Sequence, residues 1–116
     1  IIGLGTFFEL AKEAAKLLKE EAGINATVIN PYYITGLDEA LLTKLKQNHD
    51  TVITLEDGIL DGGFGEKIAR FYGANNMKVM NYGLKKEFLD RYDVDAVLKE
   101  NHLTAEQIVE DVLSIL

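Results

Sequence analysis

Three stretches of this chain combine residue types that could do chemistry. Gly3-Leu4-Gly5 stands between a short apolar run and a helical segment, where a dinucleotide's pyrophosphate would be cradled. That fingerprint also needs a third small residue, where Phe8 stands, and an acid closing the second strand, where Asn30 stands. It fails at both positions, so the stretch reads as a tight strand-to-helix turn. Glu56-Asp57 ends an apolar strand, as a phosphoryl-accepting aspartate would, but Gly3 to Thr6 offer no acids to hold Mg²⁺ beside it. Gly62-Gly63-Phe64-Gly65 opens a helix, and its backbone N–H groups could cradle an anion. It lacks the Gly-Lys-Ser/Thr ending of a nucleotide phosphate loop, and Glu66 would compete with a bound phosphate for the helix dipole. Close backbone packing is the plainer use of these glycines.

The histidines offer little more. His49 falls at the end of a helix, where a cation is favourable, and His102 in the loop before the last helix. Neither has a local Ser or Asp partner suggesting a triad. Tyr32-Tyr33 reads as a packing or interface pair and Lys85-Lys86-Glu87 as a solvated turn. With no cysteine, the chain can form no disulfide, thiolate metal site or thiol nucleophile. The residues by themselves assign no catalytic, cofactor-binding or metal-binding group.

Apolar period places these stretches on elements. Ile1-Ile2-Gly3-Leu4 reads as the remainder of a buried strand. Thr6-Phe7-Phe8-Glu9 is a capping box opening a helix to about Ala22, with Phe7, Ala11, Ala14, Leu18 and Ala22 on one face and Gly23 as its left-handed stop. Ala26–Asn30 is a β-branched strand ended by Asn30-Pro31. Asp38 caps a second helix with Leu37, Leu41 and Leu45 on one face. Thr51–Leu55 is a strand apolar enough to lie centrally, broken by Glu56-Asp57-Gly58. A helix carrying Phe64, Ile68 and Phe71 follows, then a strand Met77–Met80 closed by Asn81-Tyr82-Gly83. A short helix near Val94 to Leu98 precedes a last helix, opened by the capping box Thr104–Gln107, that buries Ala105, Ile108, Val112 and Leu116. Strands alternating with crossover helices demand a parallel sheet covered on both faces, a three-layer α/β/α domain.

The 116 residues carry 12 Lys and Arg against 19 Asp and Glu, a net charge of −7. The basic residues are scattered, which speaks against a nucleic-acid partner. No apolar run approaches the roughly 20 residues of a membrane span, and the residues from Ile1 on have no basic n-region and do not open a signal peptide, so a cytoplasmic protein is expected. The start at Ile1, inside an apolar run, reads as a cut within a longer polypeptide.

One segment carries a resemblance. Thr54-Leu55-Glu56-Asp57-Gly58-Ile59-Leu60-Asp61-Gly62-Gly63-Phe64-Gly65 resembles the "TLE(E/D)G…GGFG" signature in the C-terminal domain of the 1-deoxy-D-xylulose-5-phosphate synthase family. Ile2 to Thr6 resembles that family's "ALGT" turn, Gly36-Leu37-Asp38 its "PLD" helix start, Asn81 to Leu84 with Phe88 its "LGLPDxF" stretch, and Thr104 to Ile108 its closing helix. Asn30-Pro31-Tyr32-Tyr33 and Lys85-Lys86 depart from the family pattern. Related C-terminal domains occur in transketolases and in beta subunits of 2-oxo-acid dehydrogenases.

The resemblance implies that residues 1–116 form the transketolase C-terminal-like domain of an enzyme that condenses pyruvate with glyceraldehyde 3-phosphate and releases CO₂. The enzyme uses thiamine diphosphate and Mg²⁺ and feeds isoprenoid, thiamine and pyridoxal synthesis. Upstream domains would hold the cofactors, and this domain, itself non-catalytic, would pack against them and support a homodimer. The resemblance also implies four parallel strands in the order second, first, third, fourth, with an antiparallel strand upstream of Ile1. Glu56, Asp57, Gly58, Gly62, Gly63, Phe64 and Gly65 would then form an interface or anion-contact loop. Two other readings stay open: part of a transketolase, including a separately encoded subunit, or of a dehydrogenase beta subunit; and a free-standing anion- or metabolite-binding α/β module built on the Gly62–Gly65 helix start.

Overall fold

β2 (Thr51–Ile59) is the strand around which the other elements are arranged. In this computed structural model, β1 (Ile2–Gly3) pairs with one side of it and β3 (Lys78–Leu84) with the other, both parallel. The structure describes residues 1–5, 7–30, 39–59, 63–73, 76–84 and 98–115. Beyond β1, Ile29 makes a single parallel bridge to Ile2. Its amide donates to the Ile1 carbonyl at 2.9 Å and its carbonyl accepts the Gly3 amide at 3.0 Å. The order Ile29, β1, β2, β3 is the expected one. The stretch Ala26–Asn30, expected as a full strand, reduces to that one bridge.

Two strands are longer than their apolar runs. β2 continues through Glu56, Asp57 and Gly58 to Ile59, and β3 continues through Asn81-Tyr82-Gly83 to Leu84. Neither triplet breaks its strand: Asn81 and Tyr82 pair in parallel with Thr54 and Leu55, and β2 passes through Glu56-Asp57-Gly58 to pair again at Ile59. The register shifts on the way: Leu55 pairs with Tyr82 and Ile59 with Leu84, so three residues of β2 face one of β3. An irregularity of this kind is a bulge.

Alternation along β2 divides the core between the two faces of the sheet. Ile53 and Leu55 join Tyr82 in a cluster with Ala11, Ala14 and Leu18 of α1 (Phe7–Ala22) and Ile108, Val109 and Val112 of α4 (Ala105–Ile115). Val52 joins Ile2 and Leu4 in a second cluster with Leu42 of α2 (Glu39–Leu45) and Ile68 and Tyr72 of α3 (Phe64–Tyr72). Helices on both faces of a parallel sheet make the expected α/β/α arrangement.

The helix faces match expectation with local shifts. Ala11, Ala14 and Leu18 are buried on α1, whereas Ala22 at its end is exposed. Gly23 ends α1 at φ 68°. On α2 the fully buried residue is Leu42, with Leu41 and Leu45 half-buried to either side. Tyr72 adds a buried anchor on α3, its hydroxyl donating to the Leu42 carbonyl at 2.7 Å and so tying α3 to α2. Thr104 caps α4 by accepting the Gln107 amide at 3.3 Å. The Gln107 side chain accepts the Thr104 hydroxyl at 2.8 Å and donates to the Lys99 carbonyl at 3.0 Å, in place of reaching back to the Thr104 amide. His49 closes α2: Nδ1 bonds the Leu45 carbonyl at 3.0 Å and Nε2 the Thr27 hydroxyl at 2.9 Å. The Thr6 cap, the Asp38 cap, Leu37, Tyr32-Tyr33, Lys85-Lys86-Glu87, the helix start near Val94 and Leu116 lie outside the described residues. No helix among the described residues is long and apolar enough to cross a membrane.

Gly3 lets α1 lie directly on β1. A Cβ there would stand 2.8 Å from the Phe7 carbonyl and 2.9 Å from the Ala11 Cβ. Gly3→Ala is therefore expected to destabilise the fold by about 1–3 kcal/mol, the usual cost of overpacking. A lower urea midpoint with an unchanged slope is the readout.

Candidate functional site

Thr54 and Glu56 share the parity of Val52 and so face α3 rather than α1. Both are buried polar residues, with Thr54 at 0% and Glu56 at 3% exposure. Burial of this kind is costly unless the groups are hydrogen-bonded. The Thr54 hydroxyl donates to Oδ1 of Asn81, its register partner on β3, at 2.6 Å. Glu56 Oε2 accepts the Gly65 amide at 2.7 Å. Gly65 is in the first turn of α3, where amides have no partner within the helix. The cap position, Gly63, is extended (φ −82°, ψ −175°) and has no side chain to supply one. Glu56 thus does for α3, from the neighbouring strand, what a capping Ser or Asp does from within the chain.

Space requires glycine at position 65. A Cβ there would lie 2.7 Å from the Thr54 hydroxyl and 2.8 Å from Asn81 Cγ. The start of α3 therefore rests on the Thr54–Asn81 pair.

The candidate loop is thus only partly a loop. Glu56, Asp57 and Gly58 belong to β2 by their backbone. Gly63 caps α3, Gly65 lies in its first turn, and Phe64 is half-buried against the Ile2–Ile68 cluster. Gly62 lies outside the described residues. The turn after β1 adjoins this end of β2, because the Leu4 amide donates to the Leu55 carbonyl at 2.9 Å. Thr54 and Asn81 are additions to the site, and the signal for them was the polar residue within each apolar strand.

The structure gives His102 a partner distant in sequence. Nδ1 bonds Asp111 Oδ2 at 2.9 Å, and the Tyr82 hydroxyl donates to the same oxygen at 2.8 Å. His102 occupies the left-handed region (φ 58°) where a helix end usually places glycine. The amides of His102 and Leu103 return to the carbonyls of Lys99 and Leu98 at 3.1 and 2.7 Å. Asp111 lies nine residues on, and the turn into α4 brings it back to His102. The cluster lines an open cavity of about 450 Å³ beside β3. It forms no triad: Ser114, the nearby hydroxyl, donates to the Asp111 backbone carbonyl at 2.6 Å. Chemically, the arrangement fastens α4 to the sheet. Burial, then the Asp111 hydrogen bond and charge, push the Tyr82 hydroxyl well above the ordinary tyrosine range.

Comparison with known proteins places the whole chain. The profile described as "Transketolase, C-terminal domain" matches residues 1–108. A 1-deoxy-D-xylulose-5-phosphate synthase of Symbiobacterium thermophilum is 37% identical over 112 residues, covering 95% of this chain and 17% of the relative. The enzyme of the same name from Rippkaea orientalis is 36% identical over 117 residues, covering 99% and 18%. That from Lysinibacillus sphaericus is 33% identical over 112 residues, covering 94% and 18%. The chain therefore spans less than a fifth of these relatives' length. A solved structure titled "Split gene transketolase, inactive beta4 tetramer" superposes with a TM-score of 0.83 at 29% identity, covering 97% of this chain and 37% of that one.

Gly65→Ala is expected to lift the start of α3 off the Thr54–Asn81 pair and to cost about 1–3 kcal/mol, read as a lower urea midpoint. For Tyr82 the folded state holds the phenol proton more tightly than the unfolded chain does. Its contribution is full below the ordinary tyrosine value of 10.0 and is lost as pH rises above it. Urea midpoints from pH 8 to 11 are expected to fall above pH 10 in the native chain and to fall less steeply in Tyr82→Phe.

Proposed function

Because the chain belongs to the transketolase C-terminal domain family, we propose that it is the C-terminal domain of a thiamine-diphosphate-dependent 1-deoxy-D-xylulose-5-phosphate synthase acting in the cytoplasm. That enzyme joins pyruvate to glyceraldehyde 3-phosphate with loss of CO₂. The observation that carries the reading is the coverage: synthases from three organisms match 94 to 99% of the chain at 33 to 37% identity. In this reading thiamine diphosphate and Mg²⁺ are held by upstream domains, and the domain contributes packing and support for a homodimer. Among the described residues no three His, Asp or Glu side chains converge on a metal-holding group.

The likeness to a split gene transketolase favours a second reading, in which the chain is the end of a separately encoded subunit. The coding sequence upstream of Ile1 distinguishes the two. An upstream thiamine-binding domain in the same frame supports the synthase, and a frame that lacks one supports the split enzyme.

Calorimetric titration of the 116-residue chain with thiamine diphosphate and Mg²⁺ is expected to show no binding. Micromolar affinity would overturn the assignment of the cofactor to other domains.

A further inference from the structure

We infer that the start of α3 is a carboxyl seat filled from within by Glu56, and that this internal occupant closes the Gly63–Gly65 turn to external anions. The inference is independent of which enzyme the chain completes. A helix start flanked by glycines is ordinarily open to phosphate or carboxylate, because amides point outward and no side chain blocks the approach. Here the Gly65 amide is taken by Glu56 Oε2 at 2.7 Å, and Glu56 is 3% exposed. The Thr54 hydroxyl, the next donor at the same spot, is committed to Asn81 at 2.6 Å. An external anion would have to displace a group that is buried and tethered to β2. A tether holds its group at an effective concentration in the millimolar range or above. It would also arrive beside Glu66, in the first turn of α3. The glycines that suggest an anion cradle in the sequence thus serve an internal carboxyl group.

If Glu56 is the occupant, removing its side chain should vacate a seat of carboxyl size with the Gly65 amide at its base. Small carboxylates would refill it, and binding only to the folded state raises stability with ligand concentration. The experiment is thermal unfolding of Glu56→Ala in sodium acetate and in sodium chloride at equal ionic strength and pH 7, together with the amide shift of Gly65 by NMR. Acetate is expected to raise the Tm of Glu56→Ala by about 3 °C or more beyond chloride, in a saturable way, and to move the Gly65 amide. The native chain and Glu56→Gln, which keeps an acceptor oxygen in place, are expected to show no acetate-specific gain. Should Glu56→Ala fail to fold in chloride, refolding yield in the two salts gives the same comparison. A Glu56→Ala chain that responds to acetate no more than the native chain does would overturn the inference. So would a native Gly65 amide that phosphate or acetate shifts as readily as in the variant.

Discussion

The two-residue alternation of β2 is the constraint on which the rest of the structure depends. A strand buried on both faces must offer apolar groups to both, and β2 does so with Val52 toward α3 and Ile53 and Leu55 toward α1 and α4. A slip of one residue would exchange the two sets and turn every side chain to the wrong layer. It would also carry Thr54 and Glu56 away from the helix start that Glu56 completes. Core and candidate site are therefore positioned by one register.

Placing polar groups in such a strand carries a cost, and the structure offsets it locally. Thr54 and Asn81 are register partners, so each satisfies the other across one rung of the sheet. Glu56 stands where the register begins to shift and binds the Gly65 amide. A buried carboxyl and a buried helix-start amide are each expensive when left alone, and they are inexpensive together. Glycine at 65 lets the helix come close enough for that bond. On the opposite face, Asp111 plays the matching part for Tyr82 and His102. Each outer layer is thus held to the sheet by apolar packing plus one polar cluster near the C-terminal ends of β2 and β3.

Much of this was legible in the residues. Apolar period found the three paired strands and helices α1 to α4 of the described residues, because a two-sided parallel sheet writes itself as short β-branched runs between helical stretches. Glycine and capping residues marked α1's end and α4's start where the structure has them. The extents of β2 and β3 were not legible, since Glu56-Asp57-Gly58 and Asn81-Tyr82-Gly83 look like turns. Pairing of Asn81 and Tyr82 with β2, and of Leu55 and Ile59 on either side of the β2 triplet with β3, overrides such local preference. Ala26–Asn30 erred the other way, as β-branched residues promise a strand but pairing supplies only the Ile29 bridge.

The sequence by itself determined the layer arrangement, the family and the absence of thiol chemistry, because these follow from residue type, order and period along the chain. Only the tertiary structure decided what the acids do. Glu56 reads as part of a loop until parity and register aim it at Gly65. Asp111 reads as an ordinary helix acid until the turn at His102 returns it to the imidazole and to Tyr82. Both outcomes depend on contacts between residues nine or more positions apart, and local pattern carries no information about distance across a fold.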